Sequence, residues 1–478
     1  MVQLNQNFIN HISAHLPPHL TLDELVDYCG RPLRRAIRVN SLKIDCDDFI
    51  THMQAKGWQF EPIPWSETGF WITGQDDDAL GNSIEHQAGW FYIQEASSML
   101  PPTALKQAIE NHAKVLDMAA APGSKTTQLA ALMANEGILV ANEYSSSRVK
   151  VLAANITRIG VSNALLTHFD GRVFGEYLFE HFDAVLIDAP CGGEGTIRKD
   201  PDALKNWDLA DVMAIAETQL ALIESAFLAL KPGAELVYST CTLNRHENQD
   251  VCHLLKQKYP DAVEFVSLID LFDGADRSLT EEGFLHVWPQ IYDSEGFFVA
   301  KIRKKISVKR VLPEPKRQKN FPFTPINAKA FEPLCQYFSQ QLGISLSKQD
   351  SLWMRDDEFW LFPEGAEDFI GKMRFQRMGI KLADAIKSGY KPRYEAVMTL
   401  ANDLSRIINI NAEQAQQYLM GRDVHFDVID NKSPQGEVIV CFESRPLGLG
   451  KMIKTKLKNQ LPRELVKDKV TILANIIS

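Results

Sequence analysis

The sequence has 478 residues, of which 45% are hydrophobic and 23% charged, and its net charge is −10. This length exceeds that of one ordinary domain, and the composition is typical of a soluble globular protein with two to four domains. The acidic balance excludes a protein that coats nucleic acid indiscriminately, because such binding grows with the number of phosphates that Lys and Arg neutralise.

The first hundred residues predict a small α+β unit. Thr21 and Glu24 form a capping box that opens a short helix, and Gly30 closes this helix. The segment Arg34–Asn40 follows, and its later residues are typical of a strand. We place the end of this N-terminal unit near residue 105 and expect it to help bind RNA.

Between residues 106 and 304, apolar strands alternate with helices. This alternation is typical of an α/β fold with a doubly wound, mostly parallel sheet. The predicted strands are 114–118, 138–143, 164–169, 182–188 and 234–240, and the predicted helices lie near 126–135, 145–159 and 209–230. Two further strands, near 283–288 and 296–302, predict an antiparallel hairpin at one edge of the sheet.

The remaining chain contains three basic stretches. Residues 301–320 carry nine basic residues and one acid, with two prolines, which is typical of an exposed connector. We therefore predict a basic linker at 305–320, an intermediate domain at 321–385 and a further α+β domain at 386–478. Basic residues also cluster at 372–393 and 448–463. Taken alone, each stretch is explained equally well by solvent-exposed charge and by contact with nucleic acid. Three such stretches on an acidic chain favour nucleic acid as the partner.

The loop after the first strand of the alternating region, Asp117–Thr126, is built from small residues and a glycine. Such a loop lets the backbone pass close to a ligand, and the helix that follows points its N-terminus at it. No ATP-type or NAD-type glycine pattern is matched. Glu143 and Asp170 end the next two strands, where they are suited to accept ribose hydroxyls and an adenine amino group. Together they predict an adenosine cofactor without phosphates, although either carboxylate alone is more often a helix cap.

Two cysteines follow strands that are expected to be neighbours: Cys191 in Asp188–Thr196 and Cys241 in Tyr238–Thr242. The carboxyl ends of parallel strands face one crevice, so both sulfurs could meet one substrate. A thiolate that adds to C6 of a pyrimidine makes C5 nucleophilic toward a methyl group, and a second thiol is suited to assist loss of the C5 proton. The seven scattered cysteines contain no C-x-x-C pair, which argues against disulfides and against a metal site.

These motifs resemble the RNA cytosine-C5 methyltransferases of the Nop2/Sun/Fmu group over roughly residues 30–304. The similarity rests on five ordered motifs: Arg38–Asn40, Gln94–Ser98, Ala119–Lys125, Asp188–Cys191 and Ser239–Cys241. Ser124 stands where many members have a second glycine. The resemblance implies a Rossmann-like class I methyltransferase fold that uses S-adenosyl-L-methionine.

The resemblance also implies a role for each site residue. Cys241 would be the nucleophile, and Cys191 would assist proton loss and product release. Asp188 would hydrogen-bond the cytosine, oriented by Lys125. The residues implied to hold the cofactor are Ala119, Ala120, Ala121, Pro122, Gly123, Ser124, Lys125, Glu143, Asp170 and Asp188.

The long C-terminal extension is similar to that of bacterial family members with a PUA-like RNA-binding region. It implies methylation of 16S ribosomal RNA at cytosine 1407, on the assembled 30S subunit, by a monomer. A transfer RNA or 23S RNA target stays open, as does an RNA-binding assembly factor with secondary methylation activity. DNA is not expected as a substrate, because DNA enzymes use the Pro-Cys thiol as the nucleophile. The start of the chain resembles no signal peptide, and no apolar run reaches about 18 residues, so we expect a cytoplasmic protein with no membrane partner.

Overall fold

The computed structural model describes residues 4–74, 77–346, 351–401, 406–427 and 433–473. In the N-terminal unit, four strands form an antiparallel sheet in the order β2-β3-β1-β4. The helices of this unit are α1 (Gln6–Ser13), α2 (Leu22–Cys29), α3 (Cys46–Gln54), α4 (Ile84–Gln87) and α5 (Leu100–Ala104); its strands are β1 (Ala36–Val39), β2 (Gln59–Pro62), β3 (Gly69–Thr73) and β4 (Phe91–Ile93). The predicted capping box between Thr21 and Glu24 opens α2.

The central domain contains the alternating strands and helices. Its strands are β5 (Lys114–Asp117), β6 (Ile138–Asn142), β7 (Ala164–Thr167), β8 (Phe182–Asp188), β9 (Leu230–Thr240), β10 (Val263–Val266), β11 (Leu285–Val287) and β12 (Phe297–Lys304). Its helices are α6 (Ser124–Leu132), α7 (Ser146–Ile159), α8 (Phe174–Tyr177), α9 (Leu209–Ala229), α10 (Gln249–Lys258) and α11 (Pro289–Tyr292). The order β9-β8-β5-β6-β7 is parallel throughout, which confirms the doubly wound α/β fold.

Apolar residues cover both faces of this sheet, as a parallel sheet requires. Val115 and Leu139 point into one core, and their neighbours Leu116 and Val140 point into the other. Successive strand residues therefore alternate between the two cores, which explains why the strands read as continuous apolar runs.

The predicted edge hairpin is only partly correct. β11 and β12 pair, but β12 lies inside the sheet between β9 and β10, and all three contacts are antiparallel. β11 covers only the first half of β12, and β10 covers its second half. The short strand β10, which the sequence analysis did not predict, is therefore the edge strand.

The C-terminal region forms two further sheets. Its elements are β13 (Thr324–Pro325), α12 (Ala328–Leu342), β14 (Leu352–Arg355), β15 (Glu358–Leu361), β16 (Arg377–Met378), β17 (Ile380–Ile386), β18 (Gly389–Pro392), α13 (Tyr394–Leu400), β19 (Ile407–Ile410), α14 (Ala412–Leu419), β20 (Val424–His425), β21 (Gly436–Phe442), β22 (Arg445–Ile453) and β23 (Lys456–Asn459). The sheet orders are β13-β14-β15-β17-β18 and β19-β21-β22-β23-β20. The hairpin β17–β18 spans the predicted boundary at 385/386, so that boundary was placed too early. The second sheet begins only at Ile407.

The C-terminal region packs against both other parts of the protein. Strand β16 pairs antiparallel with β7 and thereby extends the central sheet. The N-terminal unit and the last sheet share one apolar core, in which the rings of Trp90 and Phe442 stack with centroids 5.9 Å apart. The sheet of the N-terminal unit and the last sheet are therefore packed together.

Part of the predicted basic surface is neutralised inside the protein. Lys301 and Lys304 lie buried in β12, not in the exposed connector. In the stretch 372–393, Lys381 pairs with Glu358 at 2.5 Å and Arg377 pairs with Glu395 at 2.7 Å. These cations support the fold, so they are not free for RNA. Most residues of 305–320 are exposed, as predicted.

Helix α9 is the one helix, among the residues described, that is long and apolar enough to cross a membrane. It packs against β8, β9 and α10, and residues such as Ile223 and Phe227 are fully buried. We therefore interpret it as a core helix of the central domain.

Candidate active site

The carboxyl edge of the central sheet brings the two predicted cysteines together. Cys191 follows β8, Cys241 follows β9, and their Sγ atoms lie 3.1 Å apart. This distance is much longer than the roughly 2.05 Å of a disulfide bond. All seven cysteines of the chain are free thiols. The prediction that two strands fifty residues apart present a thiol pair to one crevice is confirmed.

A buried ion pair lies beside the thiols. Lys125 Nζ donates to Asp188 Oδ2 at 2.7 Å and to Ser98 Oγ at 2.9 Å. The second oxygen of Asp188 accepts from Ser239 Oγ at 2.8 Å. Asp188 ends β8 and Lys125 lies in the first turn of α6, so the ion pair connects the end of β8 to the helix that follows β5.

The other two family-type motifs hold the N-terminal unit against the central domain. Arg38 is buried, and it donates to Gln94 Oε1 at 3.0 Å and to Thr127 Oγ1 at 2.8 Å. Gln94 in turn donates to Gln128 Oε1 at 3.0 Å. Because Thr127 and Gln128 belong to α6, these contacts fix the helix that carries Lys125.

Two glutamates that the sequence analysis did not single out connect the cysteine loops. Glu194 lies in the Cys191 loop and accepts from the backbone N–H groups of Leu243 and Asn244, at 2.9 and 2.7 Å. Glu247 lies beyond Cys241 and accepts from the N–H of Gly192 at 2.9 Å. Each loop thus places a carboxylate on the backbone of the other. We call Glu194 and Glu247 the carboxylate clamp.

Both clamp residues are fully buried, with 0% of their surface exposed. Burial raises the pKa of Glu247, and hydrogen bonds from Asn244, Gly192 and Gln219 oppose that change. Glu194 also accepts from Trp207 Nε1 at 2.6 Å. Burying a carboxylate is unfavourable unless hydrogen bonds replace its contacts with water. These donors therefore stabilise Glu194 and Glu247 in the interior.

The environments of the two thiols differ. The hydrogen bond to Cys241 raises the pKa of Cys191 well above its usual range, and burial and the charges of Glu247 and Asp188 raise it further. Burial alone would lower the pKa of Lys125, but the ion pair with Asp188 outweighs burial and the net change is upward. Lys125 therefore stays a cation, and its charge interacts with Asp188 and Cys241.

The loop predicted to hold a cofactor fits an adenosine-type ligand. Gly123 has φ +111°, a conformation that favours glycine, and it precedes α6 without a side-chain cap on the first-turn N–H groups. The first-turn N–H groups of α6 therefore have no side-chain cap, and such groups are suited to bind a polar ligand. Asp117 ends β5, and its buried Oδ1 has no hydrogen-bond partner among the residues described.

The two strand-end carboxylates lie along the same edge but already have partners. Glu143 accepts from the N–H groups of Ala121 and Ser145, at 3.3 and 2.8 Å. Asp170 caps the turn after β7 and pairs with Arg172 at 2.5 Å. Asp170 therefore performs the capping role that was the simpler interpretation, whereas Glu143 connects the loop after β5 to the start of α7. Both oxygens of Asp170 accept from Arg172.

His246 follows the second cysteine motif closely, which makes it a candidate general base, although a polar residue near a helix N-terminus is the simpler interpretation. Its Nδ1 is 3.1 Å from Asp250 Oδ2, and its ring packs against that of His11 on α1. The interpretation as a polar residue near the start of α10 agrees with this position.

Gly195 is a point of close backbone approach beneath the thiols. Its N–H donates to the Cys241 carbonyl at 3.0 Å, and a Cβ there would lie 2.0 Å from the Gly296 carbonyl oxygen. Because backbone cannot yield as a side chain can, we expect Gly195→Ala to destabilise the protein by about 1–3 kcal/mol and to lower its Tm. Thermal denaturation measures this, with Gly81→Ala, whose Cβ would make only ordinary contact, as the control. Equal Tm values for both variants would contradict the expectation.

Comparison with known proteins agrees with this geometry. The family model described as 16S rRNA methyltransferase RsmB/F matches residues 103–303. Models of the N-terminal, pre-PUA and PUA domains of RsmF match residues 4–96, 323–400 and 405–467. The Ribosomal RNA small subunit methyltransferase F of Shewanella oneidensis is 65% identical over 473 residues, which cover 99% of each chain.

The chain belongs to the RsmB/F family of 16S rRNA methyltransferases. As an RsmB/F enzyme, it is an S-adenosylmethionine-dependent RNA methyltransferase with a C-terminal PUA domain. Two solved structures resemble it. A methyltransferase homologue from Pyrococcus horikoshii is 36% identical, with a TM-score of 0.52, and covers 59% of this chain and 90% of that one. The protein PH0851 is 28% identical, with a TM-score of 0.58, and covers 63% and 66%.

Proposed function

We propose that this RsmB/F enzyme methylates C5 of one cytosine in 16S ribosomal RNA through a transient bond between Cys241 and C6. The observation that supports it most is the thiol pair, with sulfurs 3.1 Å apart beside the buried pair Lys125–Asp188. Methylation of cytosine at C5 requires a sulfur–C6 bond that forms and later breaks. A second thiol at this distance can assist the loss of the C5 proton that accompanies the breaking of this bond.

The cofactor-binding residues are part of this proposal. Ala119, Ala120, Ala121, Pro122, Gly123, Ser124 and Lys125 would line the ligand, and Glu143, Asp170 and Asp188 would supply acceptors along the strand ends. S-adenosylmethionine, when bound, supplies an electrophilic methyl group. The donors at the start of α6 and the acceptor at Glu143 match the polar groups of such a ligand.

In the proposed mechanism, the Cys241 thiolate forms a bond to C6 of the cytosine. The ring electrons then make C5 the nucleophile that takes the methyl group. Asp188, held by Lys125 and Ser239, hydrogen-bonds the cytosine edge and stabilises the charge that develops. Once C5 carries the methyl group, Cys191 accepts the C5 proton, and the bond between C6 and the Cys241 sulfur breaks.

The names of the relatives support small-subunit ribosomal RNA as the substrate. From the resemblance given in the sequence analysis, we place the target at cytosine 1407 of 16S RNA in the assembled 30S subunit, with the enzyme acting as a cytoplasmic monomer. Exposed cations such as Lys309, Lys316 and Lys451 are available to contact phosphates.

The test supplies the enzyme and S-adenosylmethionine with unmethylated 30S subunits, naked 16S RNA, 50S subunits or transfer RNA. Bisulfite sequencing then locates 5-methylcytosine. We expect one new site, in 16S RNA, with 30S subunits as the best substrate. Methylation confined to transfer RNA or 23S RNA would contradict the target, and binding to 30S subunits without methylation would indicate an assembly factor. Cys241→Ala protein is the inactive control.

A further inference from the structure

The clamp residue Glu247 places a negative charge next to one thiol of the pair. Its Oε2 atom accepts from the N–H of Gly192, the residue after Cys191, and a Cβ on Gly192 would lie 2.9 Å from Glu247 Oε1. The ammonium of Lys125 lies close enough to Cys241 for their charges to interact. Cys191 thus feels the negative charge of Glu247, whereas Cys241 interacts with the positive charge of Lys125.

The hydrogen-bond donors around Glu247 indicate that it is ionised. Its Oε2 accepts from Gly192 N–H and Gln219 Nε2, at 2.9 and 2.8 Å, and its Oε1 accepts from Asn244 Nδ2 at 2.7 Å. A protonated carboxyl group would turn its own O–H toward one of these donors. All three donors find an acceptor only if both carboxylate oxygens are unprotonated.

We propose that Glu247 is a positioning residue that keeps the shared proton of the thiol pair on Cys191, so that Cys241 rests as the thiolate. This proposal deepens the function proposed above and rests on it. In the part of the chain that the structure describes, the charged or titratable groups that interact with the pair are Lys125, Asp188, Glu247 and Tyr238, and Glu194 interacts with Glu247. Of the two clamp acids, Glu247 acts on the charge of Cys191, whereas Glu194 holds the backbone after Cys241.

This arrangement balances the protons of one turnover. When Cys241 bonds to C6, its hydrogen bond to Cys191 and its negative charge are lost, and these are, together with burial, the three largest influences that hold the proton on Cys191. Cys191 then releases that proton to water and, as a thiolate, accepts the proton from C5. Cleavage of the bond between carbon and sulfur returns Cys241 as a thiolate beside a protonated Cys191. One proton is released per methyl group transferred, as the overall reaction requires.

The test measures alkylation of each thiol, without RNA or cofactor. Iodoacetamide is added to native protein over a range of pH, and mass spectrometry of peptides gives the rates at Cys191 and Cys241. We expect Cys241 to react faster in the wild type. Glu247→Gln should raise the ratio of Cys191 to Cys241 labelling about tenfold, which corresponds to about one pKa unit. Glu247→Asp, which keeps the charge, should restore the ratio toward that of the wild type.

Glu194→Gln is the matched control, because it alters an equally buried member of the clamp. Faster labelling of Cys191 than of Cys241 in the wild type would overturn the proposal even if no variant folds. An equal change of the labelling ratio in Glu194→Gln and Glu247→Gln would mean that Glu247 has only a structural role, and this result would also overturn the proposal. If labelling behaves as expected but 16S RNA is not methylated, only the proposed substrate is wrong.

Discussion

Cys241→Ala is expected to abolish methyl transfer, with a loss of roughly 10⁴-fold or more, as is common when a covalent nucleophile is removed. Without the bond to C6, the C5 carbon stays too weak a nucleophile to take a methyl group. Transfer of labelled methyl groups from S-adenosylmethionine to 30S subunits measures the loss. No covalent complex between protein and RNA should form.

Cys252→Ala provides the matched control for that variant. Cys252 is fully buried in α10, and burial raises the pKa of its thiol far above the usual range. It has no access to substrate, so this variant should lose some stability but keep its specific activity. Appreciable methylation by Cys241→Ala, or an equal loss in Cys252→Ala, would contradict the role of Cys241.

Cys191→Ala is expected to trap the covalent intermediate. The bond between Cys241 and C6 still forms, but the thiol that assists loss of the C5 proton is missing, so release slows by about 10²-fold or more. The protein should therefore migrate with bound RNA in a denaturing gel, and nuclease treatment should remove the additional mass. The wild type should show little of this species.

The comparison of the two cysteine variants distinguishes the possible mechanisms. A complex trapped by Cys241→Ala but not by Cys191→Ala would reverse the roles and favour the mechanism of the DNA enzymes. The double variant Cys191→Ala/Cys241→Ala should form no complex, which shows that Cys241 makes the bond. The 3.1 Å separation of the sulfurs predicts that each variant leaves the other thiol at the same site.

Sequence patterns were sufficient for the central sheet and for the thiol pair. Each parallel strand is an apolar run ended by a polar or small residue, and Cys191 and Cys241 follow directly from the rule that strand ends share one edge. The fold class was predicted from the same patterns and is confirmed. The PUA domain is confirmed too, but it was inferred from the resemblance of the C-terminal extension and not from local patterns.

Other features depend on contacts between distant residues, which no local pattern reveals. Strand β16 contains only Arg377–Met378, and its pairing with β7 depends on where the chain returns after two hundred residues. The carboxylate clamp is similar, because Glu194 and Glu247 resemble ordinary surface acids until the two loops meet. Even so, each follows its cysteine closely, by three and six residues, which was a usable signal.

The N-terminal unit shares an apolar core with the PUA domain. The part of the chain that is synthesised first therefore cannot complete its fold first. Domains made first usually fold first as the chain leaves the ribosome. Here Trp90 packs against Phe442, and the Asn82 carbonyl accepts from the Thr471 N–H. The N-terminal unit therefore lacks these contacts until the C-terminal residues have been synthesised. A nascent chain stopped before residue 406 would keep that apolar surface exposed, which makes it a natural client for chaperones.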